Sequence, residues 1–191
     1  WSVLNQPQQA YISRYALGRD YHKVLRQRLK QLAATITADH PDALCRPVVD
    51  SAPLAEVSFA SQAGLGWRGK HSLLLQKDSG SLFFLGALIT NLPLPADAAV
   101  SSHCGDCQRC ITACPTGAII APYTVDARRC LSYLTIESTQ VIPLAFRRAM
   151  SNRIYGCDDC QLVCPFNRFA KPNKEPDFQA RHGLDQVSLL S

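Results

Sequence analysis

No stretch of eighteen apolar residues occurs anywhere in this 191-residue chain, and its best run, residues 82–89, has only the length of a strand. A helix crossing a membrane needs about 20 such residues, so that kind of anchor is excluded and no membrane partner is expected. Equally missing is a G-x-G-x-x-G between strand and helix, the pattern that holds the pyrophosphate of a flavin or nicotinamide dinucleotide. The one glycine-dense segment, Gly64-Leu-Gly-Trp-Arg-Gly-Lys-His71, has the wrong spacing for a phosphate loop; its glycines let the backbone turn sharply or approach something closely. Nothing near the amino end resembles a secretory signal, which argues against a disulfide framework. Methionine occurs once, at Met150, and the chain opens at Trp1, so a piece of a longer protein is expected.

Cysteine, by contrast, is abundant. Eight of the nine lie between Cys104 and Cys164. The first run, Cys104-Gly-Asp-Cys107-Gln-Arg-Cys110-Ile-Thr-Ala-Cys114-Pro115, is the C-x₂-C-x₂-C-x₃-C-P ligand string of two-cluster ferredoxins. The second, Cys157-Asp-Asp-Cys160-Gln-Leu-Val-Cys164-Pro165, lacks the first cysteine of that string, and Cys130 is free to replace it. In such strings the fourth cysteine serves the other cluster. One set is then Cys104, Cys107, Cys110 and Cys164, and the other Cys130, Cys157, Cys160 and Cys114. Each following proline biases its cysteine towards extended backbone, turning the sulfur away from the local triplet. Two structural zinc sites are the alternative, but a zinc ribbon needs neither the third cysteine nor the crossed Cys-Pro. The formal charge of +5 falls to about +1 once two oxidised Cys₄ clusters, about −2 each, are counted.

Residues 20–40 read as an amphipathic helix: Leu25, Leu29, Leu32 and Ile36 form one face, Asp20 caps the start and Pro41 ends it. Residues 47–50 read as a short strand ending in Asp50, followed by a helix with Pro53 in its first turn that closes near Gly64. An acid between a strand and a helix can face a cleft in an open α/β layer, or it can merely cap the helix. Residues 72–76 and 81–89 read as a hairpin turning at 77–80. A proline-rich connection at 91–95 marks a domain boundary, after which helices are expected near 126–137 and 143–150. Cys45 has no partner and reads as a buried free thiol. A cluster pair behind such a domain suggests a reductase whose further redox centre the residues do not disclose.

The chain resembles the epoxyqueuosine reductase family. The likeness is carried by Ser13-Arg-Tyr-Ala-Leu-Gly-Arg-Asp-Tyr-His22, Val49-Asp-Ser-Ala-Pro53, the glycine–tryptophan loop, Tyr123-Thr-Val-Asp-Ala-Arg-Arg-Cys130, Leu131-Ser-Tyr-Leu-Thr-Ile-Glu137 and Asn152-Arg-Ile-Tyr-Gly-Cys-Asp-Asp-Cys160. It implies an α+β architecture: an α/β, corrin-binding reductase domain over residues 1–95, then a ferredoxin-like module with two 4Fe–4S clusters over 96–170. Residues 171–191 would link to a missing carboxy-terminal region. The resemblance further implies cobalamin as the additional cofactor, an external electron donor, a tRNA anticodon stem-loop as partner and a cytoplasmic setting. The expected reaction converts the epoxide of epoxyqueuosine, at the wobble position, to the alkene of queuosine, electrons passing through both clusters to cobalamin. It implies Asp50 as proton donor, with Tyr21 and His22 lining the substrate pocket. Ser13, Asp50, His71 and Ser132 would lie against the corrin, with Cys157 and Asp158 reaching it from the cluster side. Phosphate contacts would come from Arg14, Arg19, Lys23, Arg26, Arg147, Arg148 and Arg153. A corrinoid reductive dehalogenase and a non-enzymatic two-cluster electron carrier are the alternatives.

Overall fold

The computed structural model describes residues 2–189. Its elements follow in chain order: β1 (Tyr11–Ile12), α1 (Tyr21–Asp39), β2 (Cys45–Val48), α2 (Glu56–Gln62), β3 (Trp67–Arg68), β4 (Leu74–Leu75) and β5 (Ala87–Thr90). The cysteine-rich part continues with α3 (Arg109–Ala113), β6 (Ile119–Ala121), β7 (Thr124–Val125), α4 (Leu131–Ile136), α5 (Leu144–Met150), β8 (Arg153–Tyr155) and α6 (Asp159–Leu162). Helix and strand are mixed throughout, and none of the described helices is long and apolar enough to cross a membrane.

The long helix starts where expected because the Asp20 carboxylate accepts the amide of His22 at 3.0 Å, satisfying an orphan donor of the first turn. Only Val24 of α1 is fully buried. Leu25, Leu29 and Ile36 are half-covered, while Leu32 is exposed. The helix lies over β2 and β5, which pair antiparallel from Cys45↔Thr90 to Val48↔Ala87. Cys45 is free and half-buried in that ladder rather than fully buried.

Two expectations need correction. The expected turn forms, closed by the isolated antiparallel bridge Gln76↔Gly80, but among the described residues the segments 72–76 and 81–89 do not pair beyond it. β4 instead pairs back onto β3 across a tight turn, with Gly69 N donating to Leu73 O at 2.8 Å. Residues 87–90 of the apolar run complete the ladder with β2. The start of that run is drawn elsewhere: Ser81 N donates to the side chain of Asn167 at 2.6 Å. The helix after Asp50 also begins later than Pro53, at Glu56, because residues 51–55 form successive turns. Among the described residues the strands form pairs only, so Asp50 does not stand at the edge of a wide parallel sheet.

The amino-terminal strand crosses to the cluster region. β1 and β8 pair in parallel, Tyr11↔Arg153 and Ile12↔Tyr155. Asn152 extends the junction, its side-chain amide donating to the carbonyls of Val3, Gln6 and Gln9 at 2.8–3.2 Å. Residues near the carboxy end return to the same place, with Ala10 N on Val187 O and Arg19 N on Asp177 O. Beneath this seam Arg153 grips Asp159 through two bonds of 2.7 and 2.6 Å, both side chains nearly buried. Losing the guanidinium would strand a buried carboxylate. Arg153→Ala is therefore expected to lower unfolding stability by about 3–5 kcal/mol, measured by urea denaturation against the parent at matched iron content.

Candidate functional site

The eight cysteines divide between two cavities. A small one, of about 40 Å³, is bordered by Cys104, Cys107, Cys110 and Cys164. A much larger one, of about 600 Å³, carries Cys114, Cys130, Cys157 and Cys160 on one wall. The two cysteines that precede proline have extended backbones, ψ 115° at Cys114 and ψ 123° at Cys164, as steric conflict with the proline ring requires. Electrostatic neighbours follow this division in part, with Cys110 also acting across it on Cys160. Burial raises the Cys110 thiol, and the charges of Cys104, Cys164 and Cys107 raise it further. Burial pushes Cys160 up to about 12, with Cys130, Cys110 and Cys114 adding to it. Such thiols need an adjoining cation to become thiolates, which iron provides. Four thiols spread round a cavity suit a cluster, whose irons lie apart, better than one tetrahedral zinc.

The large cavity also collects Ser13, Tyr21, Asp50, His71, Ser132 and Asp158. Of the residues expected in the substrate pocket or against the corrin, His22 stands behind this lining, bonded to Asp50. Asp50 sits two residues past β2 in a left-handed conformation, φ 46°, which aspartate tolerates better than most residues. Its amide donates to Glu56 Oε1 at 2.6 Å, so the first turn of α2 holds the bend. Its carboxylate turns the other way: Oδ2 accepts Tyr21 Oη at 2.9 Å and lies 3.1 Å from His22 Nε2. Asp50 therefore does not cap α2, whose N-cap is Ala55 with no side-chain bond.

A chain of polar groups leads outward from Asp50. His22 Nδ1 lies 2.9 Å from Asp20 Oδ1, so the imidazole bridges two carboxylates. Partial burial pulls His22 down, but the bonds to Asp50 and Asp20 outweigh it and raise its proton affinity. Burial and the bond to Asp50 raise Tyr21, which keeps its proton and donates. Tyr21 also stacks on Phe84, ring centroids 4.4 Å apart at 10°, and Tyr15, Phe83 and Phe84 extend an aromatic wall along the cavity. The Asp50 side chain is 58% exposed, so any shielding from water has to come from what enters the cavity.

His71 stands at the junction of the two cavities. Burial pushes it down to about 4, so the ring is neutral. Its Nδ1 accepts the Leu73 amide at 3.2 Å, leaving the proton on Nε2, a buried donor without a partner among the described residues. The close approach that the glycine–tryptophan loop suggests is visible at Gly66, where an added Cβ would collide with the Leu75 carbonyl. Gly156, at φ 73°, would likewise collide with Ser13, whose hydroxyl is bonded to Asp158. One phosphate candidate is removed. Arg153 is spent on Asp159, and Arg19 is paired with Asp177 at 3.1 Å, while Arg14, Lys23, Arg26, Arg147 and Arg148 are exposed. Residues not anticipated are Glu56, which sets the Asp50 bend, the aromatic wall, and Asp20 in its second role as partner of the His22 ring. A carboxylate three residues into a turn of small residues is a weak signal, and the others depend on distant segments meeting.

A cavity shared by cysteine ligands and an acid–imidazole–phenol group defines a redox protein with a double-cluster module. The family described as "4Fe-4S double cluster binding domain" matches residues 103–167. That described as "Epoxyqueuosine reductase QueG, DUF1730" matches residues 2–51. The epoxyqueuosine reductase of Vibrio cholerae is 59% identical over 99% of this chain and 51% of its own length. A crystal structure of epoxyqueuosine reductase with an epoxyqueuosine-modified tRNA-Tyr stem loop superposes with a TM-score of 0.90 at 34% identity, over 95% of this chain and 48% of that one. The Bacillus subtilis enzyme, solved with its aspartate-bearing catalytic loop swung out of the active site, gives 0.89 at 32% identity over 96% and 49%. The chain belongs to the epoxyqueuosine reductase family. It spans about half the length of the curated relatives it matches.

Proposed function

We propose that this chain is the catalytic part of an enzyme that reduces the epoxide of epoxyqueuosine, at the wobble position of tRNA, to the alkene of queuosine. The observation that carries the reading is one cavity bordered both by a set of four cysteines and by Asp50 with its hydrogen-bonded partners. A freestanding electron carrier has no use for the second half of that cavity. The family relationship and the tRNA-bound relative support the same reading.

The reaction consumes two electrons and two protons. Both carbon–oxygen bonds of the epoxide break, a carbon–carbon double bond forms, and the oxygen leaves as water. Side chains cannot supply the electrons. The two sets of thiols fit 4Fe–4S clusters, and the large cavity, with the unpartnered Nε2 of His71 in its wall, fits cobalamin. Bound there, these groups would supply a strongly reducing metal centre replenished from an external donor.

The remaining work falls to the chain. Ser13, Ser132 and His71 would hold the corrin's polar edge. The faces of Tyr15, Tyr21, Phe83 and Phe84 would receive a nucleobase taken out of its stack, with Arg14, Lys23, Arg26, Arg147 and Arg148 on the phosphates. The alkoxide of an opening epoxide is a poor leaving group until it is protonated, and Asp50, on the cavity wall, would be the acid that protonates it. The His22 ring, bridging Asp50 and Asp20, would return a proton to Asp50 from the solvent side, and Tyr21 would orient the carboxyl. A tRNA substrate would be met in the cytoplasm.

The test is anaerobic turnover of a stem-loop carrying epoxyqueuosine, with cobalamin and a chemical reductant added and metals counted beforehand. Conversion to queuosine is expected, with about eight iron for two cubes and roughly one cobalt per chain. Turnover of organohalides in place of the stem-loop would mark a dehalogenase instead. Iron without cobalt uptake and without turnover would mark a simple carrier.

A further inference from the structure

The two sets of cysteines lie in opposite electrostatic surroundings. Beside Cys104, Cys107, Cys110 and Cys164 the wall includes Lys70, which is only 9% exposed. Its ammonium donates to the carbonyl of Gly105 at 2.6 Å, inside the loop that carries Cys104 and Cys107. Lysine is rarely buried so far without a carboxylate, yet the ion pairs among the described residues do not include it. Arg109, the other cation on that wall, is exposed, so water screens it, and the exposed Asp106 of the same loop carries the opposite charge.

Around Cys130, Cys157, Cys160 and Cys114 the buried charge is negative. Asp158, 3% exposed, accepts Tyr11 Oη at 2.8 Å, the Arg14 amide at 2.8 Å and the Ser13 hydroxyl. All three donors are neutral. Asp159 is buried as well, but Arg153 matches its charge. His71, at the junction, adds charge to neither side. One buried, unmatched cation thus faces the first set and one buried, unmatched anion the second, while Arg109 on the first wall and Asp50 and Glu137 on the second are exposed and screened by water.

We propose that these buried charges split the potentials of the two clusters, the Lys70 cluster being the easier to reduce and the Asp158 cluster, which borders the large cavity, the stronger reductant. The proposal rests on the two-cluster reading above. Each cube gains one electron on reduction. A fixed cation in a poorly polarisable interior stabilises that added charge, and a fixed anion opposes it. An electron from the external donor would rest on the Lys70 side, and the cluster with the greater driving force would be the one next to the substrate cavity.

The experiment is a redox titration of the anaerobically purified, iron-loaded protein, followed by electron paramagnetic resonance. Two separate one-electron waves are expected. Lys70→Gln should move the higher wave to more negative potential and leave the lower in place; Lys70→Met should do the same, and Lys70→Arg should keep the parent value. Asp158→Asn should move the lower wave to more positive potential. Each shift should be about tenfold in the reduction equilibrium, about 59 mV for one electron. Side chains with a merely structural role would lower iron content without moving the surviving wave. Coincident waves in the parent, both substitutions acting on one wave, or shifts absent or reversed overturn the proposal while leaving the two-cluster reading intact. A protein that takes up no four-iron cluster overturns both.

Discussion

Asp50→Asn is expected to lower turnover of the epoxide by on the order of 10²–10⁴-fold, the usual contribution of a positioned general acid, while iron content and the fold stay unchanged. The substitution is discriminating because of where Asp50 sits. Asparagine is among the few residues that accept a left-handed backbone, so the φ of 46° costs it little. The amide bond from residue 50 to Glu56 does not involve the side chain and would persist. The carboxamide oxygen can still accept from Tyr21 and His22, whose donors lie 2.9 and 3.1 Å away. What the carboxamide lacks is the capacity to deliver a proton in the proposed step. Because the side chain does not cap α2, loss of a cap is not available as an explanation for lost activity. A single-turnover assay with the loaded protein measures the effect. Activity within a few-fold of the parent would show that another group, with Tyr21 and His22 the nearest, protonates the leaving oxygen.

How much of this was legible beforehand differs with the range of the interaction concerned. The cysteine strings were plain because metal-ligand spacing is local, and proline after Cys114 and Cys164 imposes its geometry on the immediately preceding residue. The Asp20 cap was plain for the same reason, its acceptor and donor being two residues apart. The hairpin expected over 72–89 stops at its turn, where Gln76 bridges Gly80, because alternation specifies a strand but not its partner. β2 competed for residues 87–90, and Asn167, 86 residues away, held Ser81. The helix expected from Pro53 began at Glu56 because Glu56 serves the bend at Asp50, a role that no propensity encodes. In the site, the motif around Tyr21 and His22 and the motif around Asp50 were each visible, and the family resemblance put them in one pocket. That all three meet at a single carboxylate oxygen depends on α1 lying across β2, and only the fold reveals it.

The crossed pairing of cysteines yields an expectation as large as that for Asp50, and paired substitutions isolate it. Replacing Cys110 and Cys164 together by alanine removes two thiols from one set and leaves Cys114, Cys130, Cys157 and Cys160 untouched. That variant should keep one intact cube, so its iron should fall from about eight to about four. Replacing Cys160 and Cys164 together takes one thiol from each set, and no cube with four cysteine ligands should remain, even though the two residues are close neighbours in sequence. If each string instead supplied its own cluster, the outcomes would exchange: the Cys160/Cys164 variant would retain the intact cube and the Cys110/Cys164 variant would have none. Mössbauer spectra of iron-57-loaded protein distinguish the two patterns without reference to activity. The reason to expect crossing is mechanical. With ψ of 115° and 123°, the backbones of Cys114 and Cys164 run straight on instead of curling back over their own triplets. Each thiol therefore borders the cavity that the other string builds. Each fourth cysteine ties one string to the other's cluster, so loss of either should loosen both strings, and the double variants should unfold at lower urea than their iron content alone would explain.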